Sequence, residues 1–71
     1  MAMKITLNGE AVEIADGISV GGLLKERNIK PELVSVEHNG TIVLKEDYDK
    51  LIISNGDTIE FLYFMGGGEF C

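Results

Sequence analysis

The chain has 71 residues, twelve of them acidic and six basic, for a net charge of −6; that length holds one small domain and leaves no room for a multi-domain enzyme. At 45% apolar and 25% charged it is too apolar to be disordered and too polar for a bilayer. Its longest apolar run, Phe61 to Met65, falls far short of the roughly 20 residues a spanning helix needs. No Lys/Arg run along the chain suits a phosphate backbone or an anionic membrane, so neither nucleic acid nor membrane is an expected partner. The acidic excess fits a mobile protein that meets a basic surface on a larger partner, and the chain reads as soluble and cytoplasmic. One cysteine, Cys71, and one histidine, His38, form neither an internal disulfide nor a Cys/His zinc site.

Met3-Lys4-Ile5-Thr6-Leu7 alternates apolar and polar, Asn8-Gly9 is a strong hairpin signal, and Val12-Glu13-Ile14 resumes the alternation. These residues predict an opening β-hairpin. Asp16-Gly17 turns the chain and Ser19 is placed to cap a helix. Val20, Leu23 and Leu24 form its buried stripe through about Arg27, with Asn28 as the C-terminal cap. Gly21 and Gly22 weaken that helix by roughly 1 kcal/mol each relative to alanine, and their missing Cβ atoms allow it to lie close to a strand. Pro31 ends helical tendency, Val34 and Val36 read as a strand, Asn39-Gly40 as a second tight turn and Thr41-Ile42-Val43 as the return. Lys45 to Lys50 should cross the surface, through a single helical turn at most, before Leu51-Ile52-Ile53 re-enters the interior. After a turn at Ser54-Asn55-Gly56-Asp57, the β-branched and aromatic run Thr58 to Met65 predicts a long last strand.

The economical way to bury this pattern is an α+β fold: a mixed sheet of four to five strands, the last beside the first, with one helix packed across one face. That is the ubiquitin-like β-grasp. Residues 1–65 form the domain and 66–71 a flexible glycine-rich C-terminal tail. On this fold, alternation along the last strand sends Ile59, Phe61 and Tyr63 toward the helix and Glu60, Leu62 and Phe64 to the open face, where they make a candidate partner-binding surface.

No pair of carboxylates, Ser/His/Asp set or Cys/His set is suggested by spacing, and a core this small encloses no substrate pocket, so an enzyme is not expected. His38 reads as a strand-end residue. The unusual feature is Gly66-Gly67-Gly68-Glu69-Phe70-Cys71. Three glycines extended reach about 10 Å. Lacking Cβ atoms, their backbone can lie against a nucleotide or a catalytic wall where alanine would collide.

The whole of residues 3–68 resembles the ThiS-type sulfur carriers of thiamine biosynthesis, a β-grasp family. The resemblance rests on Met3 to Glu10, Ser19-Val20 with Leu23-Leu24, Val36 to Val43, Asn55 to Glu60 and the glycines, in this order and at these lengths. It implies that the carboxylate of Gly68 is adenylated by an E1-like enzyme using ATP and Mg²⁺, with no cofactor bound by the carrier. The acyl group then becomes a thiocarboxylate with sulfur from a cysteine desulfurase system and is presented to thiazole synthase. Counted from Gly56-Asp57, the family's diglycine falls on Gly67-Gly68, so Glu69-Phe70-Cys71 departs from the pattern and blocks the reactive carboxylate in a peptide bond. Cleavage between Gly68 and Glu69 by a metalloprotease, as in some relatives, is the expected activating step.

Other readings keep part of this logic. A carrier serving cysteine, homocysteine, siderophore or molybdopterin pathways uses the same chemistry with a different acceptor. A covalent modifier or binding module uses the Leu62/Phe64 face and the tail for attachment. A persulfide on Cys71 is disfavoured, because no helix terminus or fixed cation is there to lower the thiol pKa.

Overall fold

Strand β1 (Ala2–Leu7) turns at Asn8-Gly9 into β2 (Glu10–Ala15), and the two pair antiparallel from Ala2↔Ala15 to Leu7↔Glu10. Asn8 and Gly9 have φ of 51° and 85°, and Asn39 and Gly40 repeat this at 51° and 87° between β3 (Val34–His38) and β4 (Thr41–Val43). Both central residues of such a turn need positive φ, which asparagine tolerates and glycine adopts without cost. Both expected hairpins are therefore present. The computed structural model describes residues 2–63.

Helix α1 (Val20–Glu26) begins where Ser19 Oγ accepts the Gly22 N–H at 3.0 Å, an N-cap that contributes about 1 kcal/mol. It ends in a Schellman motif one residue earlier than the sequence suggests. Arg27 is the C-cap and Asn28, at φ 60°, takes the left-handed position just beyond it. There Asn28 N–H donates to Lys25 O at 3.1 Å and Ile29 N–H to Leu24 O at 2.9 Å. Pro31 does not merely stop the chain from being helical; it occupies the first turn of a short 3₁₀ helix, Pro31–Leu33, where its missing N–H costs nothing. A second 3₁₀ turn, Lys45–Asp47, is the single turn expected in the charged connection.

Strand β5 (Thr58–Tyr63) enters the middle of the sheet, giving the order β2-β1-β5-β3-β4. It runs parallel to β1 (Thr6↔Thr58, Leu7↔Ile59) and antiparallel to β3 (Val34↔Tyr63 through His38↔Ile59). The mixed five-stranded sheet with one helix is the predicted β-grasp. Val20, Leu23 and Leu24 of α1 pack on Ile5, Leu7, Ile14, Val34, Val36, Ile59 and Phe61, with Val43, Tyr48 and Ile53 closing the margin.

Three details differ from the sequence reading. Gly21 approaches a loop and not a strand: its N–H donates to Tyr48 O at 2.7 Å, and a Cβ there would overlap the Asp49 carboxylate. Within Leu51-Ile52-Ile53 only Ile53 is fully interior. Ile52, in an isolated bridge with Ser19, is 53% exposed. Tyr63 lies on the helix side by alternation yet is also 53% exposed. By that point β1 has ended as a neighbour, and the Phe61 N–H is closed instead by Asn8 Oδ1 at 2.8 Å, so among the described residues no element covers the ring.

Candidate functional site

The two ends of β5 do different jobs. At its start, Asp57 and Asn39 tie three turns together. Asp57 Oδ2 accepts from His38 Nε2 at 2.7 Å and from Ser54 N–H at 2.9 Å, and its Oδ1 accepts from Asn39 Nδ2 at 3.3 Å. Asn39 in turn accepts the Thr58 N–H at 2.8 Å and donates its own N–H to Thr58 O at 2.8 Å. The short contact requires a hydrogen on Nε2 of His38. His38 is thus the strand-end residue expected from the sequence, and it anchors the strand at the pole opposite Tyr63.

Burial acts to raise the Asp57 carboxyl, but the donors from Ser54, His38 and Asn39 outweigh it and hold the group below the ordinary carboxylate range. A carboxyl depressed in the folded state stabilises fully above its unfolded pKa, about 3.9, and loses that contribution as pH falls through the lower folded value. Asp57→Asn is therefore expected to cost about 1–3 kcal/mol at neutral pH. The deficit should shrink in urea melts run at acid pH, once the pH has fallen below the depressed folded value and the wild-type carboxyl is itself protonated. An equal deficit at both pH values would refute this account.

The other end of β5, at Tyr63, is the end of the described chain. Of the predicted surface, Glu60 and Leu62 lie on the open face as expected, Leu62 at 46% exposure. Register places Glu60 opposite Glu37 and Leu62 opposite Ser35. On the far side of β3, Ile42 is opposite Glu37, and Leu44, exposed like Ile42, follows it on the same face by alternation. Ile42 and Leu44 were missed in the sequence because a three-residue edge strand gives too short an alternation to assign a face. The result is an apolar patch of Ile42, Leu44 and Leu62 around Ser35, edged by the paired carboxylates Glu37 and Glu60. Two like charges directly opposite each other do not stabilise a sheet. Phe64, the glycines Gly66, Gly67 and Gly68, the Gly68–Glu69 bond and Cys71 lie outside the described residues.

Among the described residues no group of three His, Cys, Asp or Glu side chains is arranged to hold a metal ion, and no helix is long and apolar enough to cross a membrane. The arrangement is a sheet with an open apolar-acidic face whose central strand, β5, is the last described element. Such a surface can bind a partner and deliver a peptide to it.

Comparison with known proteins gives this architecture a family. A solved crystal structure of the thiamine biosynthesis protein ThiS from Geobacter metallireducens superposes with a TM-score of 0.81 at 39% identity, over 93% of this chain and 100% of that one. The sulfur carrier protein ThiS of Bacillus subtilis is 34% identical over 65 residues, 90% of this chain and 98% of its own length. A thiazole synthase of Magnetococcus marinus is 39% identical over 67 residues, 94% of this chain but 21% of the relative, so the chain spans about a fifth of that protein's length. The model of the ThiS family matches residues 5–68. With nearly the whole described fold inside that match, the chain belongs to the ThiS family.

Proposed function

We propose that this protein is a sulfur carrier of thiamine biosynthesis that works as a thiocarboxylate on Gly68. The observation that carries this reading is the family match, which runs through the glycines to residue 68 and stops there, leaving Glu69-Phe70-Cys71 beyond it. Hydrolysis of the Gly68–Glu69 bond by a metalloprotease frees the glycyl carboxylate. A carboxylate oxygen attacks the α-phosphorus of ATP in an E1-like partner and pyrophosphate leaves. Sulfur from a cysteine desulfurase system, carried as a persulfide and released as hydrosulfide by a thiol that is itself oxidised to a disulfide, then attacks the acyl carbon and AMP leaves.

Activation is needed because a carboxylate resists nucleophilic attack, whereas an acyl-adenylate carries a good leaving group. ATP and Mg²⁺ belong to the adenylating partner, whose preorganised charges stabilise the transition state. The carrier contributes recognition and presentation, not catalysis. Thiazole synthase is the proposed acceptor. The thiazole synthases that hold a segment similar to this chain support that choice, since carrier-like and acceptor parts there share one polypeptide. The cytoplasm supplies ATP and reduced sulfur, and we place the cycle there.

The test is a chain cut after Gly68, incubated with an E1-like adenylating enzyme of a ThiS system, ATP, Mg²⁺ and sulfide. Mass spectrometry should show one oxygen replaced by sulfur on the cut chain and no change on the 71-residue form. Attachment to lysines would instead make it a protein modifier, and no ATP-dependent product on the cut chain would end the proposal. In the same assay, Leu62→Glu with Ile42→Glu should raise KM for the carrier about tenfold, because the open face is the docking patch. The urea midpoint should hardly move, since both side chains are exposed.

A further inference from the structure

Half of the basic residues of this acidic chain meet in one place. Lys25 of α1, Lys30 before the first 3₁₀ turn and Lys45 at the start of the second line a groove of about 560 Å³ with Gly21, Ile29, Pro31 and Tyr48, and Asp49 is its single acid. Among the described residues none of the three lysines has a carboxylate within ion-pairing distance; the one pair found is His38 with Asp57. Three ammonium groups around one carboxylate, in a chain of net −6, leave a local positive excess that a complementary partner would neutralise. No run of basic residues announces this cluster, because 20 positions separate Lys25 from Lys45.

The groove belongs to the pole from which the chain continues. Its floor residue Tyr48 donates from its hydroxyl to Val34 O at 3.3 Å, and Val34 is the cross-strand partner of Tyr63. Tyr63, the last described residue, is thus linked to Tyr48 of the groove through Val34, so a partner that binds at this end of β5 comes close to the lysines. The Gly21 N–H and the Tyr48 hydroxyl are already taken, by Tyr48 O and Val34 O, and Asn28 adds a side-chain amide to the lining. No arginine lines the groove. A tight phosphate site uses backbone N–H groups or an arginine fork, whereas mobile lysine ammoniums over an apolar floor suit carboxylates spaced along a peptide that also brings an apolar side chain.

We propose that this groove receives an acidic peptide segment, bearing an aromatic or large aliphatic residue, of the partner that engages the tail. The identity of that partner rests on the carrier reading above; the peptide chemistry of the groove does not. The partner then grips the domain on two sides, with basic and apolar groups on the open sheet face and acidic groups on the helix side.

The test titrates the ¹⁵N-labelled full chain with the peptide acetyl-Asp-Glu-Phe-Asp-Glu-amide. Expected are amide shifts centred on residues 21–31 and 45–49, weakened by salt and absent with the Lys-for-acid version of the peptide. In the exposed triple variant K25Q/K30Q/K45Q the affinity should drop about tenfold. No shifts, shifts centred on the open face, or an unchanged affinity in the triple variant would overturn the proposal. So would inorganic phosphate or ATP giving the same shifts at lower concentration. Peptide binding only after removal of the residues following Gly68, with the groove amides moving on that cut alone, would assign the groove to this chain's own Glu69-Phe70 and also overturn it. If the adenylating enzyme consumes no ATP with any form, the carrier reading fails while the titration still decides the groove.

Discussion

In a chain cut after Gly68, replacing Gly67 and Gly68 together with alanine is expected to slow adenylation about 100-fold or more while leaving the urea midpoint unchanged. The rate should fall because the carboxylate has to approach the α-phosphorus in line, and a displacement of about 1 Å at the reacting atom is enough for a loss of that size. Two added Cβ atoms restrict φ and ψ and thicken a backbone that, in the proposed activation, lies close against the partner's nucleotide. The midpoint should hold because the folded body, from β1 to β5, contains neither residue. Pyrophosphate release measured against carrier concentration separates the effects. A fall in kcat supports misplacement of the carboxylate, a rise in KM alone assigns the glycines to docking, and no change in either removes them from the mechanism.

Ile59→Ala is expected to cost about 2–5 kcal/mol, the range for emptying a fully buried aliphatic site. A domain of 71 residues has about 4–10 kcal/mol in all, so this one change removes a fifth or more of the stability. Ile59 has no exposed surface and sits in the central strand, with β1 on one side and β3 on the other. Its methyls meet the helix stripe, and no neighbour can move in without breaking a ladder on either side. Ile52→Ala is the internal control: the same atoms are lost at a site 53% exposed, and the midpoint should shift by a few tenths of a kcal/mol. Equal effects at the two positions would contradict the burial that the fold assigns them.

The contrast between these two isoleucines marks the limit of pattern reading. Leu51-Ile52-Ile53 is a uniformly apolar run, and alternation cannot say which member turns inward. The isolated bridge Ser19↔Ile52 and the bond from Ile53 N–H to Ile18 O at 2.9 Å decide it, and both involve a segment more than thirty residues away. Tyr63 takes the expected side of the sheet but stays exposed, for a related reason. Period two along a strand predicts the side of the sheet, but burial also requires an element above that side, and the sheet narrows where β1 ends. The apolar patch was half legible: Glu60 and Leu62 followed from the long last strand, while Ile42 and Leu44 needed the register of β3 with β4.

What the sequence determined by itself is the set of local decisions. Asn8-Gly9 and Asn39-Gly40 make hairpins because their φ values are available to those residue types, Ser19 starts the helix by closing an orphan N–H, and the spacing of Val20, Leu23 and Leu24 sets the face it buries. The glycines through Gly68 and the three residues after them were equally plain, and with them the chemistry proposed for the tail. Tertiary structure alone decided that β3 takes the second flank of β5, why Gly21 must lack a side chain beside Asp49, and that Lys25, Lys30 and Lys45 share one groove. The physical reason is range. Turns and periodicity depend on neighbours a few residues apart, whereas strand order, close approach and convergence of charge depend on segments that meet only when the sheet closes, as when Lys4 N–H finds Asn55 Oδ1 at 2.9 Å.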